Sequence, residues 1–169
     1  DDVAVRDALA MGLLGCLSSP DPTLRDGMAY EAFTQWLRND QLQPEVRAQL
    51  RDRLYDMLKE ADEAGFRKSF AALVLSEVAR TDRISPWMSP AERVAMVKAA
   101  TQYLRSVTDY RGFDNTEGWR HGVAHGSDWL LQLALNPGVE RAQLDQILEA
   151  IATQVVPESG HAYVFGEPG

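Results

Sequence analysis

FAALVLSEVA, residues 70–79, is apolar on nearly every side of a helix. A helix that is hydrophobic all round is stable in water only when neighbouring elements cover it. The flanking sequence extends the predicted helix from about residue 63 to residue 81. We therefore expect a central helix that other elements of the same domain surround.

The sequence around this helix carries further helix signals and almost no strand signals. Thr23 is predicted to cap a second helix, with Asp26 as its acidic partner three residues on. Pro44 opens a third, where a missing N–H costs nothing, and Ser89, Pro90 and Glu92 mark another start. The six surrounding helices are predicted at about residues 3–18, 23–39, 44–58, 89–107, 118–134 and 140–156, and a tail rich in glycine and proline follows at 157–169.

A short internal repeat favours one architecture for these helices. RDGMAYEAF from Arg25, RKSFAALVL from Arg67 and RHGVAHGSD from Arg120 share an arginine, any residue, a small residue, an apolar residue and alanine. Their spacings of 42 and 53 residues fit two-helix repeats of about 40–47 residues. We predict a single all-α domain, 1–169, with about seven helices in antiparallel pairs as a HEAT-like or armadillo-type α–α superhelix; a closed bundle is the alternative. The predicted pairs are 3–39, 44–81 and 89–136, and a helix at 140–156 closes one end.

The repeated arginines have two interpretations. Three guanidinium groups in a row could hold an anionic ligand or an acidic peptide. Alternatively, each arginine pairs with a carboxylate of the adjacent helix. We favour this ladder of ion pairs, because clustered charges often form structural networks.

Composition excludes several classes of protein. The 17 Lys and Arg against 25 Asp and Glu give a net charge of −8, which disfavours nucleic acid and anionic membranes as partners. No apolar run approaches the length of a membrane span. The single cysteine excludes an internal disulfide framework. The compartment stays open, cytoplasmic or, if an N-terminal signal has been removed, periplasmic or secreted, and nothing indicates the oligomeric state.

The sixth predicted helix, GWRHGVAHGSDWLLQLA at 118–134, holds two of the three histidines. On a helical projection His121, His125 and Asp128 share one side, with Gln132, and the apolar stripe with Trp119 lies opposite. The histidines are therefore predicted to lie away from the core. Gly122 and Gly126 suggest a close approach by another backbone or by a ligand, since glycine weakens a helix.

This spacing allows a metal site. Histidines at i and i+4 and an aspartate at i+7 can bind one zinc or iron ion, and Asp109, Asp114 or Glu117 could add a carboxylate. However, Gly122 stands where the helix of zinc peptidases carries its catalytic glutamate. The alternative is that the histidines hydrogen-bond the preceding loop and hold it across the helix start. We expect no cofactor, with zinc or iron as the exception.

DYRGFDNTEGWRHGVAHGSDWL, residues 109–130, resembles the hallmark of a bacterial family catalogued as domain of unknown function 2785. The matching positions are Asp109, Arg111–Gly112, Gly118–Trp119, His121, His125 and Asp128. SPDPTLRDGMAY and SFAALVLSEVARTDR resemble its first repeat and its central helix, so the resemblance spans about residues 14–151. It implies an α-helical repeat fold with no assigned activity, and it marks residues 109–128 as the site. Arg120 and Gly122 stand where many members carry alanine.

Three functions are compatible with this sequence. The favoured one is a non-catalytic scaffold that binds a protein or peptide on a concave face lined by Arg67, Trp119, His121 and His125. The second is a metal-dependent hydrolase or oxygenase at His121, His125 and Asp128. The third is an anion pocket in which Arg111 or Arg120 binds the anion and Trp119 stacks. The candidate ligand-binding residues are Asp109, Arg111, Trp119, Arg120, His121, His125 and Asp128.

Overall fold

The computed structural model describes residues 2–155 and Tyr163, and the fold is all-α, as predicted. A 3₁₀ turn, Leu14–Ser18, follows the first helix, and a π-helical segment, Thr23–Tyr30, leads into the second. The helices are α1 Val3–Leu13, α2 Glu31–Arg38, α3 Pro44–Met57, α4 Arg67–Ile84, α5 Pro90–Ser106, α6 Gly122–Ala134 and α7 Arg141–Val155. Two short strands, β1 Phe113–Asp114 and β2 Gly118–Trp119, form a hairpin before α6.

Some of the predicted helix starts are confirmed and others are wrong. Pro44 is the first residue of α3, and Ser89 and Glu92 form the reciprocal capping box of α5. Thr23 is not a cap, because it lies inside the helical segment and its side chain makes no capping hydrogen bond; its N–H donates to the carboxylate of Asp21, 2.8 Å away. The helix predicted from residue 63 begins at Arg67, because the preceding loop folds around the carboxylate of Asp62.

Helix α4 is the covered central helix that FAALVLSEVA predicts. Every residue from Ser69 to Ala79 is buried. Helices α2, α3 and α6 pack against it, and the contact with α6 is the most extensive between any two described elements. Within the described part of the chain, no helix combines the length and the apolarity that crossing a membrane requires.

The helices contact one another in an alternating order. Helix α4 lies between α2 and α6, α1 contacts α3, and α5 packs against α6 and α7. Several helices that are two elements apart in sequence are therefore neighbours in space. The tail predicted at 157–169 lies outside the described residues except for Tyr163, whose hydroxyl donates to Gln154.

The carboxylate of Asp82 joins the ends of three helices. It is fully buried near the end of α4 and accepts hydrogen bonds from the guanidinium of Arg93 on α5. It also accepts the N–H groups of Trp87 and Met88 and the side-chain amide of Asn136, which follows α6. A buried charge of this kind is stable only when it is fully hydrogen-bonded.

Candidate functional site

The first residues of the stretch predicted as the sixth helix form a β-hairpin instead. Phe113 pairs with Trp119, and the carboxylate of Asp114 accepts two N–H groups in the turn. His121 has a left-handed backbone, with φ of 50°, so α6 begins only at Gly122. Trp119 and His121 therefore do not belong to the helical faces assigned to them. The turn-forming sequence DNTEG is the local signal that could have predicted the hairpin.

Two buried arginines attach this hairpin to the start of α4. Arg25, which is fully buried, donates to the carbonyl of Glu117 at 2.8 Å, and Arg120 donates to the carboxylate of Glu117 at 2.7 Å. Both guanidinium groups lie over the ring of Phe66, 4.0 and 4.3 Å from its centroid. Arg120 also donates to the carbonyl of Ala64. Both side chains are therefore structural.

The repeated arginines form ion pairs, as the favoured interpretation predicts, but not with the adjacent helix. Arg25 pairs with the next residue, Asp26, and Arg120 pairs with Glu117 in the hairpin. Arg67 pairs with Glu60 in the loop before α4. Each carboxylate lies within seven positions of its arginine in the sequence, so these are local ion pairs and not a ladder between adjacent helices. All three arginines are thus engaged within the protein.

Asp109 and Arg111 are paired with each other at the edge of the same region. The guanidinium of Arg111 donates to both carboxylate oxygens of Asp109, at 2.8 and 2.5 Å, and to the carbonyl of Glu63. Burial raises the pKa of Asp109, but the hydrogen bonds from Arg111 outweigh it and hold that pKa below its ordinary value. Gly65, with φ of +82°, fits beneath this pair, where a Cβ would collide with the carboxylate.

His125 is buried, so its predicted place away from the core is wrong. Its Nδ1 lies 2.8 Å from the hydroxyl of Ser69 on α4, and that hydroxyl donates to the carbonyl of Arg120. Burial lowers the pKa of His125 to about 3, and the nearby His121 adds to the effect. A neutral histidine therefore links α4, α6 and the end of the hairpin. Helix α6 is covered by α4 on one side and α5 on another, which leaves little of it exposed.

Among the described residues the set predicted to bind a metal forms no ligand cluster, although the ring centroids of His121 and His125 lie 6.0 Å apart. His121 packs against Trp119, with ring centroids 3.9 Å apart, while Asp128 is exposed. Desolvation and then the charge of Glu77 raise the pKa of Asp128. Across residues 2–155 and Tyr163, no three His, Cys, Asp or Glu side chains are grouped so that they could hold a metal ion. His125 hydrogen-bonds Ser69 of α4 instead of the loop before α6, so the alternative in which the histidines hold that loop stays a prediction.

The glycines of α6 face the end of α5, and Gly122 also lies near the backbone carbonyl of Asp109. A Cβ on Gly126 would lie 3.0 Å from the side chains of Leu104 and Tyr103, and one on Gly122 would lie 3.4 Å from the Tyr103 hydroxyl. Glycine at these two positions therefore allows α5 and α6 to approach closely.

A polar cavity of about 220 Å³ lies where the start of α4, the end of α5 and the start of α6 meet. The carboxylate of Asp62 on its wall accepts the N–H groups of Gly65, Arg67 and Lys68. Two other charged residues of the wall are ion-paired, Asp109 with Arg111 and Arg120 with Glu117. The charged and hydroxyl-bearing residues of the lining are Asp62, Lys68, Ser69, Tyr103, Ser106, Thr108, Asp109 and Arg120.

Lys68 differs from the other charged residues of this lining. Within the described part of the chain, its ammonium makes neither a hydrogen bond nor an ion pair, and only its backbone N–H is bonded. Sequence reasoning did not identify Lys68 or Tyr103, because they meet only through the packing of α4 against α5 and α6.

A comparison with protein-family models assigns the chain. The model of the family described as "Protein of unknown function (DUF2785)" matches residues 54–169, more than half of the sequence. The match includes the hairpin, the cavity and α4–α7, whereas the stretch interpreted as a first repeat, 19–30, precedes it. Searches of the curated proteins and of the solved structures find no match. The chain belongs to the DUF2785 family.

Proposed function

We propose that this protein binds a small ligand through an anionic group, in the cavity formed by α4, α5 and α6. The observation that carries the proposal is the ammonium of Lys68, which has no partner among the described residues. On the same wall Asp109 and Arg120 are ion-paired, and Asp62 accepts only backbone N–H groups. A positive charge in a concave, partly desolvated place is stabilised by an anion. The sequence-based anion pocket is thus retained with a different cation, because Arg111 and Arg120 are engaged.

The geometry around Lys68 supports an anion. Gly122, the first residue of α6, lines the cavity, and no side chain caps this helix start. The N-terminus of a helix carries a partial positive charge and stabilises nearby anions. The hydroxyl of Thr108 lies on the same wall and can donate a hydrogen bond, whereas the hydroxyl of Ser106 donates to the carbonyl of Tyr103. The cavity is large enough for a phosphate, a sulfate or a carboxylate group.

The proposal is tested with inorganic phosphate, sulfate and acetate by calorimetry. We expect Lys68→Gln to weaken binding at least about tenfold, since a hydrogen bond to a charged group contributes about 1.5–3 kcal/mol. Lys98→Gln, on the exposed face of α5, is the matched control and should bind like the unmodified protein. Equal binding by all three proteins, or no binding of any anion, would contradict the proposal.

A second proposal is the protein- or peptide-binding scaffold, in which the helix pairs form a HEAT-like stack. The observation that favours it is the exposure of two aromatic rings on the hairpin, Phe113 at 47% and Trp119 at 38%, with centroids 5.0 Å apart. Exposed aromatic residues often supply most of the binding energy at protein interfaces. The buried His125 does not belong to this surface.

Variants of the hairpin and of Lys68 distinguish peptide binding from anion binding. Peptides selected from a random library against the purified protein are expected to lose binding by tenfold or more to the double variant Phe113→Ala, Trp119→Ala. The same peptides should bind Lys68→Gln unchanged. Peptides that bind the double variant with full affinity would show that the hairpin is not the interface.

A further inference from the structure

A second cavity of about 400 Å³ adjoins the polar one. It lies between α3 and α5, and its wall is mainly apolar, with Tyr55 and Leu58 on one side and Ala95 and Ala99 on the other. Tyr103 and Ser106 line both cavities. A ligand bound near Lys68 would therefore find an apolar cleft directly beside its polar group.

The cleft results from the way α3 and α5 are held. At one end Arg51 of α3 forms an ion pair of 2.8 Å with Glu92 of α5, and its guanidinium lies over the ring of Trp87. Further along, α5 presents the small residues Ala95 and Ala99, four positions apart and therefore on one face. The ion pair holds α3 to α5 at Arg51, and the small side chains of Ala95 and Ala99 leave an open gap further along α5.

The far wall of the cleft is fixed by aromatic packing. The ring of Tyr55 stacks on Trp129 of α6, with centroids 6.3 Å apart, and Trp129 is fully buried. The stacking on Trp129 therefore holds the Tyr55 ring in place, and we do not expect rotation of this side chain to close the gap. Lys59, at its rim, is paired with Asp56, which leaves Lys68 as the unpaired cation of the two cavities within the described residues.

We propose that the ligand is an anionic amphiphile, whose head group lies beside Lys68 and whose apolar chain or ring occupies the cleft between α3 and α5. This inference rests on the proposed function and adds the chemical class of the ligand. It follows from two adjacent cavities of opposite character that share Tyr103 and Ser106. Water in the apolar cleft gains few hydrogen bonds from its walls, so an apolar group that displaces it is favoured.

Linear carboxylates of increasing length, from acetate to octanoate, test this inference by calorimetry below their micellar concentrations. We expect the affinity to rise about two- to fourfold for each added methylene until the cleft is filled. Hexylammonium, which has a similar chain and the opposite charge, should bind much more weakly than hexanoate. Lys68→Gln should weaken the binding of every carboxylate by a similar factor.

A side chain that fills the cleft should remove the dependence of affinity on chain length and leave the binding of the carboxylate group unchanged. In Ala99→Phe the added ring occupies the cleft, so octanoate should bind no more tightly than acetate while acetate binds as in the unmodified protein. Ala142→Phe, at an exposed position of α7, is the matched control and should keep the full dependence on chain length. Ala95→Phe serves the same purpose should Ala99→Phe lose its cooperative thermal transition.

The outcomes distinguish this inference from the proposed function. Absence of binding by acetate, phosphate and the longer carboxylates would overturn both. Binding of acetate that depends on Lys68, with no gain from longer chains, would leave the anion site and overturn the amphiphile. A gain that persists in both the Ala99 and the Ala95 variants would place the chain outside the cleft and also overturn it.

Discussion

Arg25→Ala is expected to lower the free energy of unfolding by about 3–5 kcal/mol, the range typical of removing one partner from a buried charged network. The Arg25 guanidinium is fully buried, donates to the carbonyls of Ser19 and Glu117, and pairs with Asp26. Truncation leaves these acceptors without their donor and opens a cavity beside the rings of Phe66 and Phe70. Equilibrium unfolding in urea at pH 7 measures the change.

Two further variants separate this effect from the loss of a charge. Arg105→Ala removes an exposed arginine that pairs with Glu149, and it should change stability by less than about 1 kcal/mol. Arg25→Lys retains the charge but not the planar fork, so it should lie between the two. A loss below about 1 kcal/mol in Arg25→Ala would show that the hairpin and α4 are held together without this contact.

The parts of this fold that could be predicted from sequence depend on neighbouring residues. The apolar run at 70–79 predicts a covered helix because every side of it must be buried. Ser89 and Glu92 predict a helix start because the two partners of a capping box are three residues apart. Both predictions are confirmed by α4 and α5.

The candidate site depended on contacts that are distant in sequence. Arg25 and Glu117 are 92 positions apart, and Ser69 and His125 are 56 positions apart. Residues 109–128 were predicted as the site, and they do border the cavity through Asp109, Arg120 and Gly122. The helical projection placed His125 on the wrong surface because it cannot show that α4 and α5 cover two sides of α6. Nothing in the residues next to Lys68 in the sequence distinguishes it from an ordinary surface lysine, because only the folded structure shows that it lines a cavity.

Asp82→Asn is expected to cause a loss of similar size, about 3–5 kcal/mol at pH 7. The substitution removes the charge that pairs with Arg93 and replaces one acceptor oxygen by a donor that faces the N–H groups of Trp87 and Met88. The ends of α4 and α5 and the residue after α6 would all lose a shared partner. Asp145→Asn, which changes an exposed carboxylate paired with Arg141, is the matched control and should lose less than about 1 kcal/mol.

The pH dependence of the same comparison identifies the charge as the cause. Burial raises the pKa of Asp82, but the hydrogen bonds from Arg93, Met88, Trp87 and Asn136 outweigh it and hold the pKa below its ordinary value. A carboxylate whose pKa is lower in the folded state stabilises the fold fully above its unfolded pKa of about 3.9, and loses that contribution as the pH falls through the folded pKa. The difference in stability between the unmodified protein and Asp82→Asn should therefore be constant from pH 7 to about 5 and shrink below about pH 4. A difference that stays constant down to pH 2 would mean that Asp82 acts through shape and hydrogen bonding instead of charge, because protonation would then leave its contribution unchanged.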